Sequence, residues 1–304
     1  MRISTNSIFD GSSARLVDLQ SKMNKISEQV ASGRKMQNPS DDPVAAAQAL
    51  EVQQSSSINS QFAKNRLYMQ NTLGIVDGAL SSISGTLQGI HENVVGAGSG
   101  VLSDSERSYY ATALQGQYDQ LMALANSTDG AGHYLFAGNK TDTLPFTDKD
   151  TSGNPVAVSY NGDNNQSVVQ VDTSRAMKIS VTGSELFGAN ADIFAKLKNA
   201  ITALNTPGGA TVNDALKNLG NSFDTTLNNV SNAQASVGIR AQEIDSLNSL
   251  GADRELQYSQ TLSSLQDLDY NKALSDLARQ QLALQAAQKT FTQTSNLSLF
   301  NYIN

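Results

Sequence analysis

Apolar residues near the start of the chain step by three and four: Leu16, Leu19, Met23, Ile26 and Val30. That spacing draws one narrow stripe along a helix, the seam by which one helix packs lengthwise on another. The seam stops at Gly33, and Asn38-Pro39-Ser40-Asp41-Asp42-Pro43 follows. Proline disfavours helical backbone in the residue before it, so the first helix is predicted to end here. Asp42 suits an N-cap and Pro43 a first helical position, which predicts a second helix opening at Val44. Its seam reads Ile58, Phe62, Met69, Leu73, Val76, Leu80, Ile83, Leu87, Ile90 and Val94. At about 1.5 Å per residue, Val44 to Val95 would form a rod of roughly 75 Å. Gly96-Ala97-Gly98-Ser99-Gly100 closes it, and Ser103 with Glu106 predicts a capping box for a third helix reaching about Ala125.

Between His133 and Val181 the period shortens to two. His133–Ala137, Val156–Tyr160, Val168–Val171 and Met177–Val181 read as short strands, with turn signals such as Asn161-Gly162 between them. Helical spacing returns at about Ala191 and, after Thr206-Pro207-Gly208-Gly209, runs from Val212 almost to the end. Val237, Ile244 and Leu247 mark one stretch; Ala273, Leu277, Leu284, Ala287 and Phe291 mark the last, with Gln280 in the intervening seam position. The expected fold is mainly α with an inserted β domain at mid-chain. Long antiparallel terminal helices would form a coiled-coil bundle.

Composition narrows the chemistry. Of 304 residues, 39% are hydrophobic and 6% aromatic, with no tryptophan. Compact domains usually carry more apolar residues, which again favours narrow seams over a broad core. Cysteine is absent and only His91 and His133 carry imidazole, which excludes a disulfide framework, thiolate zinc and a cysteine nucleophile. A net charge of -7 gives no general attraction to nucleic acid or anionic lipid. No apolar run approaches the roughly 20 residues of a membrane span. The start Met1-Arg2-Ile3-Ser4-Thr5 has no apolar signal-peptide core, so export, if it occurs, would leave the N-terminus intact.

Three motifs invite a chemical reading. The glycine run at 96–100 lacks the preceding strand of a dinucleotide loop and the Lys-Ser or Lys-Thr of a P-loop. Asp41 and Asp42 read as turn and cap; a calcium loop needs further acids, and Val44-Ala45-Ala46-Ala47 supplies none. His133, in Gly132-His133-Tyr134-Leu135-Phe136-Ala137-Gly138, has no Gly-x-Ser-x-Gly elbow to serve. No catalytic, cofactor or metal constellation emerges, and the reading is of a non-enzyme.

The seams remain. Their ordinary use is an intramolecular bundle; the alternative is packing between copies. Long terminal helices and the apolar ending Leu297-Ser298-Leu299-Phe300-Asn301-Tyr302-Ile303 favour the second. The candidate subunit-packing residues are Leu16, Leu19, Met23, Ile26, Val30, Leu277, Leu284, Phe291, Leu297, Leu299, Phe300, Tyr302 and Ile303.

The opening Arg2-Ile3-Ser4-Thr5, the block Gly33-Arg34-Lys35-Met36-Gln37-Asn38-Pro39-Ser40-Asp41-Asp42-Pro43 and the ending Leu297–Ile303 resemble the bacterial flagellin superfamily, on its hook-associated protein 3 branch. Tyr134-Leu135-Phe136-Ala137-Gly138-Asn139-Lys140-Thr141 and Leu282–Phe291 are similar to its mid-chain motif and terminal helix. The resemblance implies a junction piece of the flagellum, outside the cell. Hook-associated protein 1 would lie on the hook side and flagellin on the filament side, with copies of the chain in a ring. It further implies type III export escorted by a chaperone that binds the C-terminal region, and no nucleic-acid or membrane partner. Residues 1–42 with 265–304 would form the inner-tube coiled coil. Residues 43–130 with 189–264 would form a helical rod, and 131–188 the inserted outer β domain. Flagellin itself is the nearest alternative, and an enzyme on a coiled-coil scaffold a distant one.

Overall fold

A computed structural model of the chain describes residues 2–100, 102–149, 155–188, 190–209 and 211–303; the side chains of 2–6, 8, 149, 155–156 and 296–303 lie outside the description. The elements run α1 (Arg2–Ser32), α2 (Pro43–Gly98), α3 (Asp104–Ala125), β1 (Phe146–Lys149), β2 (Pro155–Tyr160), β3 (Val168–Asp172), β4 (Arg175–Lys178), α4 (Gly183–Phe187), α5 (Asp192–Asn205), α6 (Val212–Gln266) and α7 (Tyr270–Ile303). They form two compact units, residues 1–59 with 252–304 and residues 60–251, so α2 and α6 contribute to both. Among the described residues no helix is long and apolar enough to cross a membrane.

The expected punctuation is present. Gly33, with φ +71°, ends α1 in the left-handed region that favours glycine. The Asp42 carboxylate accepts from Ala45 N at 3.0 Å and so caps α2, with Pro43 in its first position. Ser103 and Glu106 close a reciprocal capping box on α3, and Thr182 with Glu185 builds the same device on α4.

In the second unit the α2 seam from Met69 to Ile90 is buried against one continuous cluster. Leu114, Tyr118 and Leu121 of α3, Phe194 and Leu197 of α5, and Leu219, Phe223, Val230 and Ile244 of α6 share it. Phe146 sits at its aromatic heart, with ring centroids 5.2 Å from Tyr160, 5.3 Å from Phe187 and 5.5 Å from Phe194.

The strands form two separate antiparallel pairs, β1 with β2 and β3 with β4. A two-stranded ribbon is marginal alone in water, and here the helices hold each one. Asn126, just past α3, acts as a strand for Phe146: its Oδ1 accepts from Phe146 N at 2.9 Å and its Nδ2 donates to Phe146 O at 3.0 Å. From α2, Asn65 and the buried Arg66 donate to the β3 carbonyls of Gln170 at 2.7 Å and Val171 at 3.0 Å. From α6, Glu243 takes a two-pronged ion pair from Arg175, at 2.6 and 2.8 Å. Phe146, Val158, Val171, Met177 and Val181 all join the helical cluster, so the strand region shares its core with the helices.

One expected strand is absent and one unexpected strand is present. His133–Ala137 is a turning segment between Gly132 (φ +90°) and Gly138 (φ +68°). Its amides bond locally, Tyr134 N to Thr141 O at 2.8 Å and Leu135 N to Ser127 O at 3.0 Å. A side chain on Gly138 would collide with the Asp163 carbonyl. The first strand is instead Phe146–Lys149.

Candidate subunit-packing surface

Within the first unit α1 and α7 lie antiparallel. At one end two backbone bonds join the helix breaks, Lys35 N to Gln266 O at 2.7 Å and Leu268 N to Gly33 O at 3.0 Å. At the other the rings of Phe9 and Phe291 stand 5.1 Å apart. Asp269 starts α7 by accepting from Lys272 N at 3.1 Å.

The predicted seam residues meet along this pair. Leu16, Leu19, Met23, Ile26 and Val30 of α1 are half-buried, as are Leu277 and Phe291 of α7, while Ala273 and Leu284 are buried. Two helices cover only one face of each other, so a seam flanked by solvent stays part open. The side chains of Leu297, Leu299, Phe300, Tyr302 and Ile303 lie outside the described residues. Gln280 is the polar break in the stripe, and its Oε1 is buried with no hydrogen-bond partner among the described residues.

A second set of apolar side chains went unread in the sequence. Phe9, Val17, Leu274 and Leu282 are exposed on the same helix pair, Leu282 to 68%. Leu282 precedes Leu284 by two positions, about 200° around the helix, so α7 carries apolar residues on two faces. That offset is visible in the sequence once a second stripe is sought. Val17 also floors a groove of about 460 Å³ with Gln20, Ser21 and Asn24, walled by Gln37, Asn38 and Asp41. Lys25 closes the wall by donating to Asp41 at 2.7 Å. That ammonium, with the N–H groups of Asn38 and Gln37, holds the Asp41 carboxyl down at about 2.

The other candidate motifs are packing and turn devices. His91 stacks on Phe223 with centroids 4.6 Å apart. His133 is half-exposed, its Nδ1 3.3 Å from Asp129 and its Nε2 4.0 Å from Asp142. Two serines line the recess beside it. Ser167 Oγ donates to Asn139 at 2.8 Å and Ser180 Oγ accepts from Ser167 N at 3.2 Å, so both hydroxyls are turned to other partners. At Gly96 an added Cβ would press on the Tyr110 hydroxyl at 2.8 Å, which explains the glycine by close approach of α3.

Residues 3–141 match the model of the bacterial flagellin N-terminal helical region. The flagellar hook-associated protein 3 of Salmonella typhimurium is 38% identical, over 99% of this chain and 99% of its own length. The chain belongs to the flagellar hook-associated protein 3 family. Its fold agrees. A putative flagellar hook-associated protein from Vibrio parahaemolyticus superposes with a TM-score of 0.68 at 25% identity, over 75% of this chain and all of that one. The flagellar junction protein FlgL of Legionella pneumophila gives 0.58 at 19% identity, over 72% of this chain and 100% of that one. As a hook-associated protein 3, the chain is a structural component of the flagellum at the hook–filament junction.

Proposed function

We propose that the α1–α7 pair is the part by which copies of this chain pack side by side into a junction ring. The supporting observation is the pair's unfinished burial: the seam is half covered within one chain, and Phe9, Val17, Leu274 and Leu282 remain open beside it. A neighbouring copy that covers them adds apolar burial at about 25 cal/mol per Å². The thirteen sequence candidates, from Leu16 to Ile303, then serve assembly as well as the chain's own hairpin.

In this reading residues 1–42 with 265–304 form the inner layer, 43–130 with 189–264 the rod, and 131–188 the outer layer. Hook-associated protein 1 occupies the hook side and flagellin the filament side. The chain reaches this extracellular place by type III export without signal cleavage, escorted by a chaperone on its C-terminal region. It performs no catalysis and engages neither nucleic acid nor membrane. Imaging cells that lack the chain tests the reading. Intact hooks without filaments, with flagellin shed into the medium, are expected; normal filaments overturn it.

A further inference from the structure

We propose that Asn161 is a site of spontaneous covalent modification, at which the backbone of Gly162 converts the side-chain amide to aspartate and isoaspartate. This goes beyond assembly and rests on the geometry at the end of β2.

Such a step needs a backbone nitrogen free to attack, a following residue without a side chain in the way, and an accessible carboxamide. Asn161 is exposed and is followed by glycine, the residue that restricts the backbone least. The Gly162 N–H makes no hydrogen bond among the described residues, while its neighbours are tied: Asn161 N to Pro145 O at 2.8 Å, and Asp163 N to Ala137 O at 2.9 Å. The Asn161 carboxamide lies over a pair of hydroxyls 3.2 Å apart. Its Nδ2 donates to Thr147 Oγ1 at 3.0 Å, and Ser159 Oγ points a donor at its Oδ1 from 3.4 Å.

The other candidates lack this combination. Asn6-Ser7, Asn59-Ser60, Asn221-Ser222 and Asn248-Ser249 lie inside α1, α2 and α6, where the backbone runs in the helical ladder. Asn126-Ser127 lies outside a helix, but the Ser127 N–H that would have to attack is bonded to Leu124 O at 3.1 Å.

The chemistry balances without a cofactor. Gly162 N gives its proton to water or hydroxide and bonds to Asn161 Cγ. Negative charge develops on Oδ1, where the Ser159 hydroxyl stands to receive it as an oxyanion donor. The Cγ–Nδ2 bond then breaks and ammonia leaves with a proton from solvent, closing a five-membered succinimide. Water opens the ring at either carbonyl, giving aspartate or its β-linked isomer. One water is consumed, one ammonia is released and nothing is oxidised. The product carboxylate no longer donates to Thr147. The β-linked form inserts a methylene between β2 and Asp163, whose carbonyl accepts from the Tyr160 hydroxyl at 3.0 Å.

The test is a time course on the purified full chain at mildly alkaline pH, with peptide mass mapping and enzymatic methylation of isoaspartate. Asn161 is expected to convert before every other asparagine. Ser159→Ala should slow it several-fold in the native chain and leave the rate unchanged in urea, where the hydroxyl is no longer placed. Conversion at an Asn-Ser pair while Asn161 stays intact overturns the proposal. Equal native rates with and without Ser159 overturn the oxyanion role.

Discussion

Leu282 and Leu284 sit two positions apart on α7 and separate that helix's two proposed roles. Leu284 is 9% exposed and Leu282 68%. Complete burial of a leucine is worth about 1.5–3 kcal/mol, so Leu282, with about a third of its surface covered, gives the lone chain roughly 0.5–1 kcal/mol. Glutamate has nearly the helix propensity of leucine, and its methylenes keep part of the contact. Leu282→Glu is therefore expected to cost the isolated chain less than about 1 kcal/mol. Leu284→Ala removes a buried side chain from the seam and is expected to cost about 2 kcal/mol or more. In the proposed ring the order would reverse. A neighbour covering position 282 would meet a desolvated carboxylate, a penalty of several kcal/mol per copy. The assays are amide exchange along α1 and α7 in the purified chain, and filament counts in cells carrying each variant. Leu284→Ala should speed exchange; Leu282→Glu should leave it near wild type yet remove the filaments. Wild-type filaments with Leu282→Glu would show that this face stays open in the assembly. Fast exchange in that variant would show that the residue belongs to the chain's own fold.

Gln280→Leu should slow amide exchange along the α1–α7 pair, because it replaces a buried acceptor without a partner by a seam side chain, a gain of about 1 kcal/mol or more. Asp41 stabilises its turn as a carboxylate. Its folded value of about 2 lies below the ordinary 3.8, so that contribution is complete above 3.8 and is lost as the pH falls toward 2. The Gln37 and Asn38 amides, followed by NMR, should lose protection through that window in wild type; an Asp41→Asn variant should show no such step. Replacing 142–173 by a short linker should lower the melting temperature of the helices of the second unit, since Phe146, Val158 and Val171 belong to their core and losing a buried phenylalanine alone costs about 3–5 kcal/mol. Retained melting of those helices by circular dichroism would contradict the shared core.

The helices were legible because their information is local. Three-four spacing, the Asp42-Pro43 start and the Ser103–Glu106 box each act within one or two turns. The strands depend on distant partners. Phe146–Lys149 offers one apolar residue in four, and becomes a strand because β2 pairs with it on one edge and Asn126 on the other. His133–Ala137 has the apolar run of a strand, but glycines at 132 and 138 turn it, and its amides bond to Ser127 and Thr141 nearby. The ties of Arg66 to Val171 and Arg175 to Glu243 bridge 105 and 68 residues, a range at which spacing carries no signal. On α7 the seam template absorbed Leu277 and Leu284 and so hid Leu282.

The two units solve burial differently, and the difference bears on assembly. The second gathers Tyr118, Phe146, Tyr160, Phe187 and Phe194 from α3, β1, β2, α4 and α5 into one aromatic cluster, so its core closes within a single chain. In the first, Phe9 and Tyr270 are each half exposed and the leucine seam is covered from one side only. The partner helix covers that seam from one side, and ordering each residue costs about 1–2 kcal/mol in backbone freedom. If copies cover the open apolar faces of α1 and α7, as proposed, the stability of the pair depends on its concentration among them, as for any element completed by a partner. In the proposed ring, a subunit built this way would keep a folded second unit while free, and its first would gain most of its stability where neighbours supply the missing face.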